Sequence, residues 1–200
     1  MKWTVLIVLI ASVIVIPALG EDRIKEGFEG PVFPPRAWTT FVTGPGEGEG
    51  SWSKGANETG YCAYGTVYCT YPQGYLDAVL CTSYRILFPG DYITISFDLK
   101  TEDSSGGSLS IRLWTRSNSC FWDSYVDKPP IGETRHYTYN LPVIIDSNDY
   151  QFRWYLESWY QSVPVSITVS LDNITVKRTA GSNQTQMEPS TLGRIKSAYK

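Results

Sequence analysis

Apolar and polar side chains alternate with a period of two along much of the chain. Five stretches show the pattern clearly, at residues 91–101, 106–117, 135–143, 150–158 and 163–177. In the first of them, Ile93, Ile95 and Phe97 alternate with Thr94 and Ser96. This period lets a strand turn one face to a core and the other to solvent, as in antiparallel sheets. No long window has the 3.6-residue period of a helix, so the pattern predicts an all-β fold.

Turn-forming residues separate these stretches. Segments rich in Gly, Pro, Asp and Ser lie at 88–92, 103–108 and 127–133, and this composition favours loops. Short strands at such spacing predict a two-sheet sandwich rather than alternating strands and helices. Earlier in the chain, the glycine-rich residues 43–60 are expected to form a surface loop. Residues 62–69 are expected to form a short hairpin.

The two ends of the chain differ from its centre. Residues 1–20 combine a basic start, an apolar run and small residues before Gly20, which is typical of a secretory signal peptide; an uncleaved signal anchor is the alternative. Residues 21–26 are a short lead-in, and residues 27–178 carry the predicted domain. Residues 179–200 are polar without a strand pattern, so they are expected to be a disordered tail or a linker. The protein is therefore expected to be secreted or held at a cell surface.

Composition agrees with an exported, strand-rich protein. Charged residues make up only 18% of the sequence and aromatic residues 14%. Of its 17 basic residues one, Lys2, lies in the signal peptide, which leaves 16 against 20 acidic residues and a net charge of −4. No basic cluster stands out, so nothing points to nucleic acid or anionic lipid as a partner.

Four cysteines, an even number, are typical of two disulfides in an exported chain. They are Cys62, Cys69, Cys81 and Cys120, and four cysteines allow three pairings. The expected pairing is Cys62–Cys69 across the predicted hairpin, with Cys81–Cys120 joining two distant strands. Zinc is disfavoured because the chain has no C-x-x-C spacing and His136 is its only histidine.

Three Asn-x-Thr triplets, at Asn57, Asn173 and Asn183, are acceptor sequences for N-linked glycans. Such triplets also arise by chance. They predict a glycoprotein if the host lineage glycosylates asparagine.

Several short motifs, taken in order, resemble one family. The sequence "FEGPVFPPRAWTT" at residues 28–40 precedes an isolated Trp52, "GDYITISFDLKT" at residues 90–101 and "SLDNITVK" at residues 170–177. Together these motifs resemble choice-of-anchor J, or cleaved adhesin, domains, which are relatives of MAM domains and of galactose-binding-like jelly rolls. The resemblance covers residues 27–178. It implies a two-sheet antiparallel jelly-roll β-sandwich in a secreted or surface protein that serves adhesion, or carbohydrate or protein binding.

The resemblance also implies a structural Ca²⁺ between the first and last strands. The family's acidic positions correspond to Glu29 and Asp172 here, with Asn173 a weaker oxygen donor. Calcium takes six to eight hard oxygen ligands, so the ion would clamp the two ends of the domain together. The alternative is that Glu29 and Asp172 only accept hydrogen bonds from loop amides.

A binding surface is predicted where the polar sides of two strands carry aromatic and charged residues. The candidate ligand-binding residues on these strands are Arg112, Trp114, Arg116, Arg153, Tyr155 and Glu157, and Trp122 is a further candidate in an expected loop at residues 118–130. Aromatic faces beside arginines and carboxylates suit sugar or peptide recognition. The alternative is that the aromatic rings pack under loops, with the arginines at the rim. Trp159 and Tyr160 allow the same two interpretations.

Nothing in the sequence marks a catalytic centre. His136 lies within a strand pattern, and the chain has no G-x-S-x-G or H-E-x-x-H motif. The sequence therefore predicts a secreted, non-enzymatic module that binds an extracellular glycan or protein. A structural subunit of an extracellular filament or coat is one alternative, and an accessory domain of a hydrolase is another.

Overall fold

A computed structural model describes residues 23–70, 74–85, 87, 90–143, 150–159 and 164–179. The predicted signal peptide, the tail from residue 180 onward, Tyr160 and the triplet at Asn183 lie outside these residues. In the described part of the chain, no helix is long and apolar enough to cross a membrane.

Strands account for the regular structure. They are β1 (Arg23–Glu26), β2 (Trp38–Thr43), β3 (Gly48–Asn57), β4 (Gly60–Cys69), β5 (Tyr75–Thr82), β6 (Tyr92–Ser104), β7 (Ser108–Thr115), β8 (Cys120–Val126), β9 (Thr134–Pro142), β10 (Tyr150–Trp159) and β11 (Val165–Thr179). The five alternating stretches correspond to β6, β7, β9, β10 and β11, so these predictions are confirmed. The lead-in also forms a strand, because residues 23–26 pair with the end of β11.

The strands form two antiparallel sheets. One has the order β3-β4-β11-β6-β9, with β1 beside β11, and the other has the order β2-β5-β10-β7-β8. From β4 onward the chain crosses between the sheets at every step except the hairpin β7–β8, so that most neighbours in a sheet are distant in sequence. This is the interleaved order of a jelly roll, and the predicted jelly-roll β-sandwich is confirmed.

The core lies between the sheets and is rich in aromatic rings. Trp154 of β10 is fully buried, 5.5 Å from the ring of Trp38 and 6.5 Å from that of Phe97 across the sandwich. Phe28 continues the contact, 5.8 Å from Trp38. The stretch at residues 27–41 therefore anchors the start of the domain on the core.

The glycine-rich segment at residues 43–60 was predicted as a loop, and this prediction is wrong. Most of it is β3, an edge strand paired with β4 along its whole length. Trp52 points inward and lies over Gly65 of β4, where an added Cβ would come within 2.7 Å of the indole ring. Gly65 makes room for this buried tryptophan from the neighbouring strand. Within β3 itself, an added Cβ at Gly55 would come within 2.8 Å of Tyr64 Cβ, so glycine there reflects close packing on β4 and not a loop.

Both predicted disulfides are also wrong, since all four cysteines are free thiols. Residues 62–69 are not a hairpin but one strand, on which Cys62 and Cys69 lie about 23 Å apart along the strand axis and point to opposite faces. Cys81 on β5 and Cys120 on β8 are separated by β10 and β7, a distance of about 14 Å across the sheet. Neither pair comes within the range that a disulfide needs.

Candidate functional site

The outer surface of the five-stranded sheet carries most of the predicted binding residues. We call it the five-strand face. Its members point away from the core because the residues next to them along each strand, such as Leu80, Trp154 and Ile111, point into it. The face contains Phe41, Tyr75, Asp77, Val79, Cys81, Ser110, Arg112, Trp114, Asp123, Tyr125, Arg153, Tyr155, Glu157 and Trp159.

Arg112 spans the centre of this face. Its guanidinium lies 4.1 Å from the centroid of the Tyr155 ring and forms an ion pair with Glu157. Glu157 is only 1% exposed and also accepts a hydrogen bond from the Ser108 hydroxyl at 3.2 Å. Tyr155 was predicted as an exposed contact, but Arg112 and its neighbours bury it. The ring supports the arginine instead of offering a free aromatic surface.

Arg153 lies beside Arg112 on the adjacent strand and rests on a different ring. Its guanidinium is 4.5 Å from the centroid of Trp114 and 5.7 Å from that of Phe41. Its Nε donates to Gln151 Oε1 at 2.6 Å, and its Nη1 donates to the Tyr155 hydroxyl at 3.3 Å. The side chain is therefore held in place by two neutral acceptors and two rings.

Two carboxylates occupy neighbouring positions at the other end of the face. Asp77 on β5 lies directly opposite Glu157 on β10. Asp77 is buried, and its Oδ1 has no hydrogen-bond partner. Burial and the nearby charge of Glu157 raise the pKa of Asp77 to about 6, against the opposing effect of Arg112. Burial likewise raises the pKa of Glu157, although Arg112 counteracts this.

We expect the stability of the protein to fall as the pH rises through about 6, because folded Asp77 holds its proton more tightly than the unfolded chain does. Its pKa is raised from 3.8 to about 6, so its stabilising contribution is complete below the lower value and lost above the higher one. The shift corresponds to about 3 kcal/mol. Urea unfolding at pH values of about 4 and about 8 should therefore show that the free energy of unfolding falls less between the two for Asp77→Asn than for wild type.

The matched control for this experiment is Asp123→Asn. Asp123 is exposed on the same face, and its replacement changes the net charge by the same amount. The control should follow the wild-type pH profile. Parallel profiles for wild type and Asp77→Asn would contradict the role assigned to Asp77.

An exposed aromatic pair borders the two carboxylates. Tyr75 and Trp159 lie opposite each other on β5 and β10, and their rings stack at 5.1 Å with an interplanar angle of 24°. Trp159 is 53% exposed, so this ring is open to contact. Sequence reasoning left Tyr75 and Asp77 out of the site because β5 is buried on both faces, which hides the alternation. The signal present was a lone carboxylate in the apolar run "YLDAVLC".

The structure brings together five of the seven predicted binding residues and separates the other two. Those that meet on the face are Arg112, Trp114, Arg153, Tyr155 and Glu157. Arg116 lies in the turn after β7, 5.4 Å from the Tyr84 ring. Trp122 packs against the core, 6.0 Å from Tyr139. Trp122 pairs in regular register with the inward-facing Leu113, and the register shift comes only at the next pair, Trp114 with Cys120.

The two residues predicted to bind calcium accept hydrogen bonds from the protein. Glu29 Oε1 accepts from the Tyr61 amide at 3.0 Å. Asp172 accepts from the Asn173 amide at 2.7 Å and from Asn57 Nδ2 at 2.8 Å. Among the described residues, no three His, Cys, Asp or Glu side chains group together in a way that could hold a metal ion. Two engaged carboxylates do not by themselves fit a calcium site, and calcium binding stays a prediction.

A polar cavity of about 250 Å³ lies on the outer surface of the other sheet. It is lined by Asn57, Glu58, Thr59, Asp98, Lys100, Thr134, Ser170 and Asp172. Next to it, Asp98 binds both His136 Nδ1 at 2.6 Å and Asn173 Nδ2 at 2.8 Å. The amides of Asn57 and Asn173 thus both donate to carboxylates. The cavity has no aromatic lining, which distinguishes it from the five-strand face.

Comparisons with known proteins identify the fold. No protein-family model matches the sequence, and no curated protein does. Among solved structures, a carbohydrate-binding module of the β-sandwich superfamily is 18% identical, with a TM-score of 0.50, covering 74% of this chain and 59% of its own. The K1 cleaved adhesin domain of Lys-gingipain from Porphyromonas gingivalis W83 is 18% identical, with a TM-score of 0.46, covering 80% of this chain and 99% of its own.

An enzyme also has a similar structure. The Stig cyclase Fisc from Fischerella sp. TAU is 12% identical, with a TM-score of 0.47, covering 80% of this chain and 100% of its own. At such low identities the comparisons show the fold alone. The chain is an all-β protein of two antiparallel sheets, similar in fold to carbohydrate-binding modules and to a cleaved adhesin domain.

Proposed function

We propose that the protein is a secreted, non-enzymatic binding module that recognises an extracellular glycan or protein through the five-strand face. The observation that carries this proposal is the prearranged set of side chains on that face. Arg112 and Arg153 are each held over an aromatic ring, and the exposed Trp159 lies beside Asp77 and Glu157.

The chemistry of the face suits a sugar better than a flat apolar partner. An exposed indole ring offers an apolar surface for the C–H side of a sugar ring, while arginines and carboxylates pair with hydroxyl groups. The arginines lose little conformational freedom on binding, because the protein already holds them in place. A glycan is therefore our first candidate ligand.

Two further points support this proposal. The neighbouring folds include carbohydrate-binding modules and a cleaved adhesin domain, by the names those structures carry. The motifs at residues 28–40, 90–101 and 170–177 also resemble choice-of-anchor J domains. We propose that the chain belongs to this group of surface binding modules.

A non-catalytic role agrees with the placement of the histidine. His136 binds Asp98 on the outer surface of the other sheet, away from the five-strand face. Its Nε2 lies 3.4 Å from the Thr138 hydroxyl on the same strand, but both side chains are exposed and not enclosed in a cleft as a catalytic Ser-His-Asp arrangement would be.

The proposal is tested by screening the purified protein on a glycan array and measuring the strongest ligand by calorimetry. Trp159→Ala should weaken binding at least about tenfold, or about 1.4 kcal/mol, because the open indole ring is lost. Tyr92→Ala is the matched control, since Tyr92 is an exposed aromatic residue on the other sheet. It should bind as wild type does.

Three results would contradict the proposal. Equal losses in Trp159→Ala and Tyr92→Ala would place the contact elsewhere. Concentration-dependent polymerisation without any ligand would favour a structural subunit of a filament or coat. Turnover of a glycan by the purified protein would make the chain an enzyme.

A further inference from the structure

Arg153 has no acidic partner among the described residues, in contrast to Arg112 and Arg178. Arg112 pairs with Glu157, and Arg178 pairs with Asp91. The guanidinium of Arg153 instead bonds to an amide oxygen and a phenol hydroxyl, both neutral. Within the described residues, no carboxylate lies within ion-pair distance of it. Its positive charge is therefore uncompensated.

The protein holds this charge in one position. Gln151 and Tyr155, the two acceptors, are 8% and 4% exposed, so packing fixes them. Trp114 and Phe41 contact the guanidinium through their rings. Nε and Nη1 are used in this way, while Nη2 makes no hydrogen bond to any described residue. A fixed guanidinium with an unused donor nitrogen is half of an anion-binding site.

The surroundings of Arg153 favour an anion from outside the protein. Its side chain is half-buried, and charges attract more strongly where water is partly excluded. The carboxylate of Glu157 lies four residues further along β10, about 13 Å away along the strand, and Arg112 already engages it. The acidic end of the face is therefore too distant to serve Arg153. The exposed Asp123 lies in the same cross-strand row but two strands away, about 10 Å, with Arg112 between them.

We propose that Arg153 binds the carboxylate or sulfate group of an acidic glycan lying on the five-strand face. This inference rests on the proposed function, since it names the class of glycan that this face would take. Arginine presents planar pairs of N–H donors that match the oxygens of carboxylate and sulfate groups. The acidic group would lie at Arg153, and the rest of the glycan would extend along β10 toward Trp159.

The test compares acidic oligosaccharides with neutralised copies of themselves. The probes are oligogalacturonate and its methyl ester, and a heparin fragment and its desulfated, N-acetylated and carboxyl-reduced form, each titrated into the purified protein by calorimetry. At least one acidic probe should bind ten times more tightly than its neutral copy. The preference should weaken as salt is added. The galacturonate and heparin arms distinguish a carboxylate from a sulfate ligand.

Variants then assign the preference to Arg153. Arg153→Met keeps an apolar stem but removes the charge, and it should bind acidic and neutral probes equally. Arg135→Met is the matched control, because Arg135 is an arginine of the other sheet, 46% exposed in its side chain. It should keep the wild-type preference. Arg153→Lys keeps the charge but lacks the planar guanidinium that donates to Gln151 and Tyr155 together. An intermediate preference for the acidic probes is therefore expected.

Several results would overturn the inference. One is equal binding of acidic and neutral probes by wild type, and another is equal loss of preference in Arg153→Met and Arg135→Met. If Arg153→Met does not fold, the inference is decided by two other measurements. These are the binding of acidic against neutral probes by wild type and the same comparison in Arg153→Lys. Binding of neutral glycans that is lost in Trp159→Ala would refute the acidic ligand but retain the proposed function. Binding to no glycan at all would refute the acidic ligand and the glycan as first candidate ligand, and it would leave a protein as the remaining partner under the proposed function.

Discussion

Replacing Asp91 by alanine is expected to lower the free energy of unfolding by about 3–5 kcal/mol. Asp91 is fully buried just before β6, and its Oδ2 accepts a hydrogen bond from Arg178 Nε at 2.6 Å. Arg178 lies near the end of β11, and its side chain is only 18% exposed. Removal of the carboxylate leaves a mostly buried guanidinium without its partner, and the energetic penalty is large. Urea unfolding of the variant and wild type measures the difference.

An exposed ion pair is the control for this experiment. Asp127 is 94% exposed in its side chain and lies 3.9 Å from Arg135, so Asp127→Ala should cost less than about 1 kcal/mol. Equal losses in the two variants would refute the role assigned to Asp91. The double variant Asp91→Leu, Arg178→Met should regain much of the stability, because two apolar side chains of similar size leave no buried charge unpaired.

Trp154→Ala is expected to destabilise the protein by about 3–5 kcal/mol. Trp154 is fully buried at the centre of the sandwich. Its ring contacts Trp38, which leads into the first strand of its own sheet, and Phe97 of the opposite sheet. Truncation would remove both contacts and leave a cavity that close-packed neighbours fill only in part. Chemical unfolding followed by tyrosine fluorescence or circular dichroism gives the loss.

Trp159 on the same strand provides the comparison. Trp159 is 53% exposed and stacks on Tyr75 alone among described aromatic rings, so Trp159→Ala should change stability by less than about 1 kcal/mol. The two variants should therefore separate two properties, with Trp154→Ala losing stability and Trp159→Ala losing ligand. Similar stability losses in both would mean that Trp154 is not the centre of the core.

The sequence predicted best where one face of a strand meets solvent. Alternation in β6, β7, β9, β10 and β11 located these strands, and it placed Arg112, Arg153 and Glu157 on one face. Residues of β7 and β10 that are far apart in sequence become neighbours only when the two strands pair in register. The prediction of a shared surface therefore depended on the predicted sandwich, which the alternating pattern indicated.

The predictions failed where composition was interpreted without the pairing of the strands. The glycines around Trp52 resembled a loop, although this segment pairs with β4 directly after the turn between Asn57 and Gly60. Trp122 was expected in a loop, but it lies on β8, and its regular pairing with Leu113 turns it toward the core. The predicted disulfide pairing failed because neither the even number of cysteines nor their spacing in the sequence shows which strands lie side by side.

The free thiols differ in their access to reagents from solution. Cys62, Cys69 and Cys81 are buried, whereas Cys120, the first residue of β8, is exposed. Burial raises the pKa of Cys62 and of Cys81, which keeps the reactive thiolate scarce at these two positions. Cys120 is therefore the thiol that an oxidant or alkylating reagent reaches first in the native protein.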